Sequence, residues 1–111
     1  MLTTQIIDQL LARFPDLRIG VLGDLFLDRY LDLDARLTEP SLETGLPAYQ
    51  VVRVRPQPGA AGTVINNLAA LGAGSIVPIA LFGDDGEGYE LRKCLEAMTA
   101  VDARWVRSWP G

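Results

Sequence analysis

Residues 19–30 read IGVLGDLFLDRY, and this stretch decides the fold. It opens within a short apolar run, Leu17 to Leu22, that is rich in Ile, Val and Leu and is closed by Gly23. Such a run, following a helix, is typical of a strand buried on both faces of a parallel sheet. Asp24 and Asp28 come directly after it, where open α/β sheets place their ligands. We therefore expect a candidate binding site at the carboxyl end of this strand.

The segments around this strand show helix and strand patterns in alternation. Apolar residues recur at three- and four-residue spacing from Thr3 to Phe14, which predicts a helix before the strand. The remaining patterns predict helices at Val64 to Leu71 and Tyr89 to Met98, and strands at Ser75 to Phe82 and Ala103 to Arg107. Pro78 predicts an edge or bulge position for the strand that contains it. This order predicts an α/β fold on a mostly parallel sheet.

The pattern changes between about residues 30 and 56. Phe26 to Asp34 and Tyr49 to Arg55 mix or alternate apolar and polar residues, which predicts two partly exposed strands. Arg36 to Leu46 contains Pro and Gly breakers and is expected to be irregular. We expect a small antiparallel β-flap with one polar and one apolar face, inserted in a single domain that covers residues 1–111. The flap is a candidate lid or dimer surface.

Composition and charge narrow the class of protein. The chain has 111 residues, 49% hydrophobic and 22% charged, which is typical of a globular domain. Its net charge is −4 without a long basic cluster, so nucleic acid is not an expected partner. The sequence shows neither a signal-peptide pattern nor the ~20 apolar residues of a membrane span. One cysteine and no histidine predict neither disulfide nor zinc site, and favour the cytoplasm.

Three stretches have residues that suit chemistry. Asp24 and Asp28 offer charged acceptors for neighbouring hydroxyls of a polyol, but spacing alone favours the alternative, a turn at Asp24 and a solvated strand residue at Asp28. The small residues from Gly59 to Thr63 would let a ligand approach the backbone, most closely if Gly59 has positive φ; tight helix–sheet packing is the alternative. Gly83 to Gly88 carries three carboxylates but not the spacing of a calcium loop, so helix capping is favoured over metal binding.

In this order and spacing, the three stretches resemble the amino-terminal part of the ribokinase (PfkB) family of carbohydrate kinases, closest to its heptose-kinase-like members. The matching segments are residues 19–30, 58–73 and 80–88, and the resemblance covers nearly the whole chain, from the first strand to the last. The resemblance implies an incomplete ribokinase-like fold with a Rossmann-like sheet. It also implies transfer of the terminal phosphate of ATP, with Mg²⁺, to a sugar or sugar phosphate in the complete enzyme. A flap of this family closes over the sugar and often pairs subunits, so a homodimer is a further expectation.

The same resemblance assigns the substrate-binding residues. Asp24 and Asp28 would hold sugar hydroxyls, and Gly59, with Ala60 beside it, would bring the backbone close to the sugar. Thr63 stands where family members usually carry a sugar-contacting asparagine, and its hydroxyl is shorter and offers one donor instead of two. Asn67 falls at the position of an asparagine seen in heptose-kinase-like members.

The catalytic base of the family is an aspartate in a Gly-Ala-Gly-Asp turn, and this sequence has no such turn. Its Gly-Asp pairs are Gly23-Asp24 and Gly83-Asp84, and neither is preceded by Gly-Ala. We therefore expect a sugar-binding half that has no catalytic residue, binds no cofactor and is inactive alone. An interaction module that dimerises through the flap is the alternative. A dinucleotide-binding domain is less well supported, because Gly20 to Asp24 lacks the third glycine and the helix start.

Overall fold

The computed structural model describes residues 1–110. Each segment expected to be regular contains a helix or a strand, with bounds shifted by a few residues. The helices are α1 (Thr4–Arg13), α2 (Ala61–Ala70) and α3 (Gly86–Glu96). The strands are β1 (Arg18–Leu22), β2 (Leu25–Leu33), β3 (Glu39–Pro40), β4 (Pro47–Ala48), β5 (Val51–Ala60), β6 (Ser75–Gly83) and β7 (Val106–Trp109). Among these residues no helix is long and apolar enough to cross a membrane.

Three parallel strands form the main sheet, in the order β1-β6-β7. One face of this sheet carries the core, because α2 and α3 both connect parallel strands and pack on that face. Ile65 of α2, Ile76 of β6 and Leu95 of α3 are completely buried there. The expected α/β fold with a mostly parallel sheet is confirmed.

Pro78 was expected at an edge or a bulge, and this prediction is wrong, because β6 is the middle strand of the sheet. The N–H of Ile76 donates to Ala100 O and its carbonyl accepts from the N–H of Asp102, both 2.8 Å, so this side of β6 faces the segment before β7. The nitrogen of Pro78, two residues on, points to the same side. Pairing with β7 begins only at Ala80, so the missing N–H of Pro78 falls in a gap of the ladder.

The prediction that β1 is buried on both faces is also wrong. Leu22 is 81% exposed, and the sheet face opposite α2 and α3 is largely open among residues 1–110, although Val77 of β6 is buried there. Other large apolar side chains on this open sheet face are also exposed, namely Ile79, Leu81, Trp105 and Trp109. The accessible surface is 8118 Å², whereas a compact protein of 12.1 kDa exposes about 6,000 Å². Exposed apolar side chains such as Leu22, Leu81 and Trp109 contribute to this large surface.

The flap is an antiparallel ribbon of β2 and β5 that pairs from Leu25 opposite Ala60 outward to Leu33 opposite Val51. Its two faces differ as expected. The face that contains Phe26, Asp28, Tyr30 and Asp32 is the polar face, and the face that contains Leu27, Arg29, Leu31 and Leu33 is the apolar face. The predicted bounds, 30–56, cover the outer part of this ribbon.

Two predicted boundaries need correction. The segment from Arg36 to Leu46, expected to be irregular, begins inside a short 3-10 turn, Ala35–Leu37, and contains β3, which pairs with β4 through Glu39 and Ala48. The last strand was predicted from Ala103, but Ala103–Trp105 is a 3-10 turn and β7 begins at Val106. Asp102 starts that turn by accepting a hydrogen bond from the Arg104 N–H, a local bond that competes with extended structure.

Candidate functional site

The candidate site begins where β1 ends. The carbonyl of Asp24 accepts a hydrogen bond of 2.9 Å from the N–H of Ala61, which ties the loop after β1 to the start of α2. A groove of about 650 Å³ runs along this junction. Asp24, Ala60 and Val64 are among the residues that line it, so two of the predicted site residues share one cavity.

The backbone strain in this junction lies at Ala60, not at Gly59. Ala60 has φ 52° and ψ −116°, and Gly59 is not among the residues with positive φ. Glycine adopts this conformation readily, while a Cβ makes it costly. A glycine is therefore needed at position 59 for a different reason, because there is no space for a side chain above its Cα.

Gly59 lies under two side chains of the polar face of the flap. A Cβ on Gly59 would lie 2.6 Å from Asp28 Oδ2 and would collide with the ring of Phe26. Only glycine fits without moving one of them. The structure therefore packs the Asp28 carboxylate and the Phe26 ring against the buried backbone of Gly59 on one side of the ribbon.

Thr63 and Asn67 lie on α2 and are exposed. They are four residues apart and share one side of the helix, while Val64 and Leu68 line the groove beside Asp24. Neither Thr63 nor Asn67 lines that groove. Their assignment as sugar-binding residues stays a prediction.

The polar face of the flap contains further residues that were not predicted as part of the site. Gln57 lies directly opposite Asp28. Farther out, the Arg55 guanidinium donates to both carboxylate oxygens of Asp32 at 2.9 Å and lies 5.4 Å from the Tyr30 ring centre. The hydrogen bonds from Arg55 lower the pKa of Asp32. The two-residue period of a strand, counted from Asp28, is the signal that would have found these residues.

The loop from Gly83 to Gly88 caps a helix, as expected. Asp85 Oδ1 accepts a hydrogen bond of 2.8 Å from the N–H of Gly88 in the first turn of α3. Within residues 1–110 no three histidine, cysteine or carboxylate side chains come together as a candidate metal cluster. Cys94 of α3 is half-buried, and burial raises the pKa of its thiol.

Similar proteins are known for this sequence and for this fold. No protein-family model matches the chain. It is 40% identical over 90 residues to bifunctional protein HldE of Syntrophotalea carbinolica, covering 81% of this chain and 18% of that protein. It is 35% identical over 103 residues to HldE of Caulobacter vibrioides, covering 89% of this chain and 21% of that protein. The chain thus spans about a fifth of the length of these relatives.

A crystal structure described as a ribokinase II from E. coli, in its apo form, shares the architecture. The TM-score is 0.54 at 21% identity, over 84% of this chain and 27% of that one. The fold is therefore ribokinase-like. Together with the HldE matches, it confirms the resemblance to ribokinase-like carbohydrate kinases that the sequence motifs predicted.

Proposed function

We propose that this chain forms the sugar-binding half of an ATP-dependent carbohydrate kinase. The ligand would be a sugar or sugar phosphate held between the polar face of the flap and the loop after β1. Asp28 and Asp24 would accept hydrogen bonds from hydroxyls, and the backbone at Gly59 and Ala60 would contact the ring. The flap would then act as a lid over the ligand.

The observation that carries this proposal is the arrangement of Asp28 over Gly59. A carboxylate that is held against the backbone in this way gives a hydroxyl-bearing ring a strong, fixed acceptor. Phe26 adds an apolar ring at the same place, which suits the C–H face of a sugar.

Sugar titration followed by NMR tests the proposal. Ribose, a heptose and their phosphates would be added to the labelled chain, and to Asp28→Asn and Asp8→Asn variants. Asp8 lies exposed on α1 and serves as the matched control. We expect a sugar to shift the amides of residues 24–28 and 57–63, and Asp28→Asn to weaken binding about tenfold, in line with the loss of a charged acceptor. Equal affinity in all three proteins would contradict the proposal.

We propose that phosphoryl transfer belongs to the complete kinase, which would supply the ATP site, Mg²⁺ and the base. Such a step needs a proton acceptor near the sugar hydroxyl and stabilisation of the charge on the transferred phosphate. The purified chain is expected to release no ADP in a coupled assay with any of these sugars. Steady turnover would overturn this part of the proposal. A cytoplasmic location, where ATP is available, is part of the same proposal.

One observation favours the alternative, an interaction module that pairs two chains through the flap. Beyond Arg29 the apolar face is open, with Leu31 55% and Val54 51% exposed. This strip, formed by Leu31 opposite Val54 and Leu33 opposite Val51, suits a second copy of the same flap. Light scattering on Leu31→Thr and on the unchanged chain separates the alternatives. A dimer lost in the variant, with no response of either protein to sugars, would favour the interaction module.

A further inference from the structure

Arg29 joins the flap to α3 by ion pairs that cross the molecule. Its Nη2 lies 2.7 Å from Glu90 Oε1 and its Nη1 lies 3.1 Å from Glu87 Oε1. Glu87 and Glu90 are three residues apart, so they share one side of the helix and one guanidinium reaches both. The pairs link residues about sixty positions apart in sequence.

The position of Arg29 on the apolar face marks the place where the flap leaves the body. Leu27, two residues before it, packs against the core, and Leu31, two residues after it, is exposed. Pro56 lies directly opposite Arg29 on β5, and its carbonyl lies 3.9 Å from Cys94 Sγ, also on α3. Both strands therefore make their polar contacts with α3 at the same cross-strand pair.

A cavity lies beside the contact between the base of the flap and α3. Its volume is about 320 Å³, and Leu25 to Leu27 and Glu87 are among the residues that line it. Beside this cavity β2 and β5 also contact α3 directly. The ion pairs of Arg29 bridge this space on its outer side.

We propose that Arg29, with Glu87 and Glu90, is a latch that sets the angle of the flap relative to the α/β body. Asp28 precedes Arg29 and projects from the opposite face, so the same contact positions the carboxylate of the candidate site. That consequence for a ligand rests on the proposed function; the latch itself does not. Arg29 is a positioning residue, because it lies on the face turned away from Asp28.

A small rotation of the flap at Arg29 moves its outer end by a large distance, because much of the ribbon lies beyond Arg29. Leu33 is four residues farther out, or about 13 Å at strand spacing, and the β3–β4 turn lies beyond that. A rotation of about 20° at Arg29 would displace Leu33 by about 5 Å. Exposed ion pairs add little to global stability, so we expect the latch to govern orientation and not the melting temperature.

Spin-label distances test the latch in the chain with Cys94→Ser. Labels at Glu43→Cys in the flap and Thr99→Cys after α3 report the flap angle, and both positions are exposed. We expect one narrow distance distribution, which Arg29→Ala broadens or shifts by about 5 Å or more. About 1 M NaCl should act in the same direction, because it shortens the screening length to about 3 Å. The charge swap Arg29→Glu with Glu90→Arg should restore the narrow distribution.

The matched control is Arg36→Ala. Arg36 pairs with Asp34 at 2.7 Å, but both residues lie in the flap, so this pair does not reach the body. An unchanged distance in Arg29→Ala, or an equal change in Arg36→Ala, would overturn the latch. A flap that opens in Arg29→Ala while no sugar binds to the parent chain supports the latch and contradicts only the sugar site.

Discussion

The carboxylate of Asp28 lies over the backbone of Gly59, with Asp28 Oδ2 2.6 Å from the point that a Cβ on Gly59 would occupy. The two residues lie on neighbouring strands. Asp28 pairs with Gln57 and Gly59 pairs with Phe26, so Asp28 and Gly59 are diagonal neighbours, and the Phe26 ring also lies against Gly59. This contact explains the glycine by space alone. It also makes residue 59 the position where a single methyl group disturbs the candidate site most directly.

Gly59→Ala is therefore expected to lower the free energy of unfolding by about 1–3 kcal/mol, because the Cβ forces Phe26 and Asp28 to move. Chemical denaturation measures the effect. Gly86→Ala is the matched control, since a Cβ there meets nothing within 4 Å and the residue begins α3. The control should be neutral or slightly stabilising. Equal stability of Gly59→Ala and the unchanged chain would show that Phe26 and Asp28 can move away from the added methyl group without a cost in stability.

Ala60→Gly is expected to stabilise the protein. Ala60 holds φ 52° and ψ −116°, a conformation in which its Cβ is strained and glycine is not. Relief of the strain exceeds the extra flexibility of the unfolded chain, and we expect a net gain of about 1 kcal/mol. Denaturation midpoints measure it. Ala61→Gly, one residue into α2, should instead destabilise by up to about 1 kcal/mol; the same sign for both would contradict the strain at Ala60.

Much of the fold could be predicted because its signals are local. The periodicity of α1, the apolar run of β6 and the cap at Asp85 all lie within a few residues. The predicted end of α2 at Leu71 is followed by Gly72, whose φ of 89° is the left-handed conformation that glycine commonly adopts after a helix. The role of Pro78 could not be predicted, because it depends on where a strand some thirty residues away begins to pair.

The candidate site could likewise be predicted only where its signals are local. Asp24, Asp28 and the small residues after Pro58 form a pattern that can be recognised in the sequence. The strain at Ala60 could not be predicted, because nothing about an alanine in a sequence indicates a positive φ. The pairs of Arg29 with Glu87 and Glu90 also have no local signal, since only the packing of β2 against α3 brings them together.

The outer flap is expected to loosen in acid through Asp32. Hydrogen bonds from Arg55 hold the pKa of Asp32 below its ordinary value of 3.8. Such a group adds stability that is fully present above the unfolded pKa and is lost as the pH falls through the folded pKa. Amide shifts of Tyr30 and Arg55, followed by NMR from about pH 6 downward, should therefore move only below about pH 4. Asp32→Asn should lack this transition; if it keeps the transition, another group is responsible.

The open sheet face is expected to bind an apolar dye. Leu22, Ile79 and Leu81 line a groove of about 410 Å³, with Arg107 at the same groove. 1-Anilinonaphthalene-8-sulfonate suits it, because its rings can cover the leucines and its sulfonate can pair with the guanidinium. Fluorescence titration measures the affinity. Leu81→Thr removes apolar surface and should weaken binding by about 1 kcal/mol, roughly fivefold.

Leu31→Thr makes the same change on the apolar face of the flap and is the matched control for dye binding. Leu31 and Leu81 are 55% and 63% exposed, so the two substitutions remove comparable accessible surface. Leu81 lies in a groove and Leu31 on an open ribbon, and a planar dye gains more contacts in the groove. A larger loss in Leu31→Thr would mean that the flap, not the open sheet face, is the main apolar binding surface of this chain.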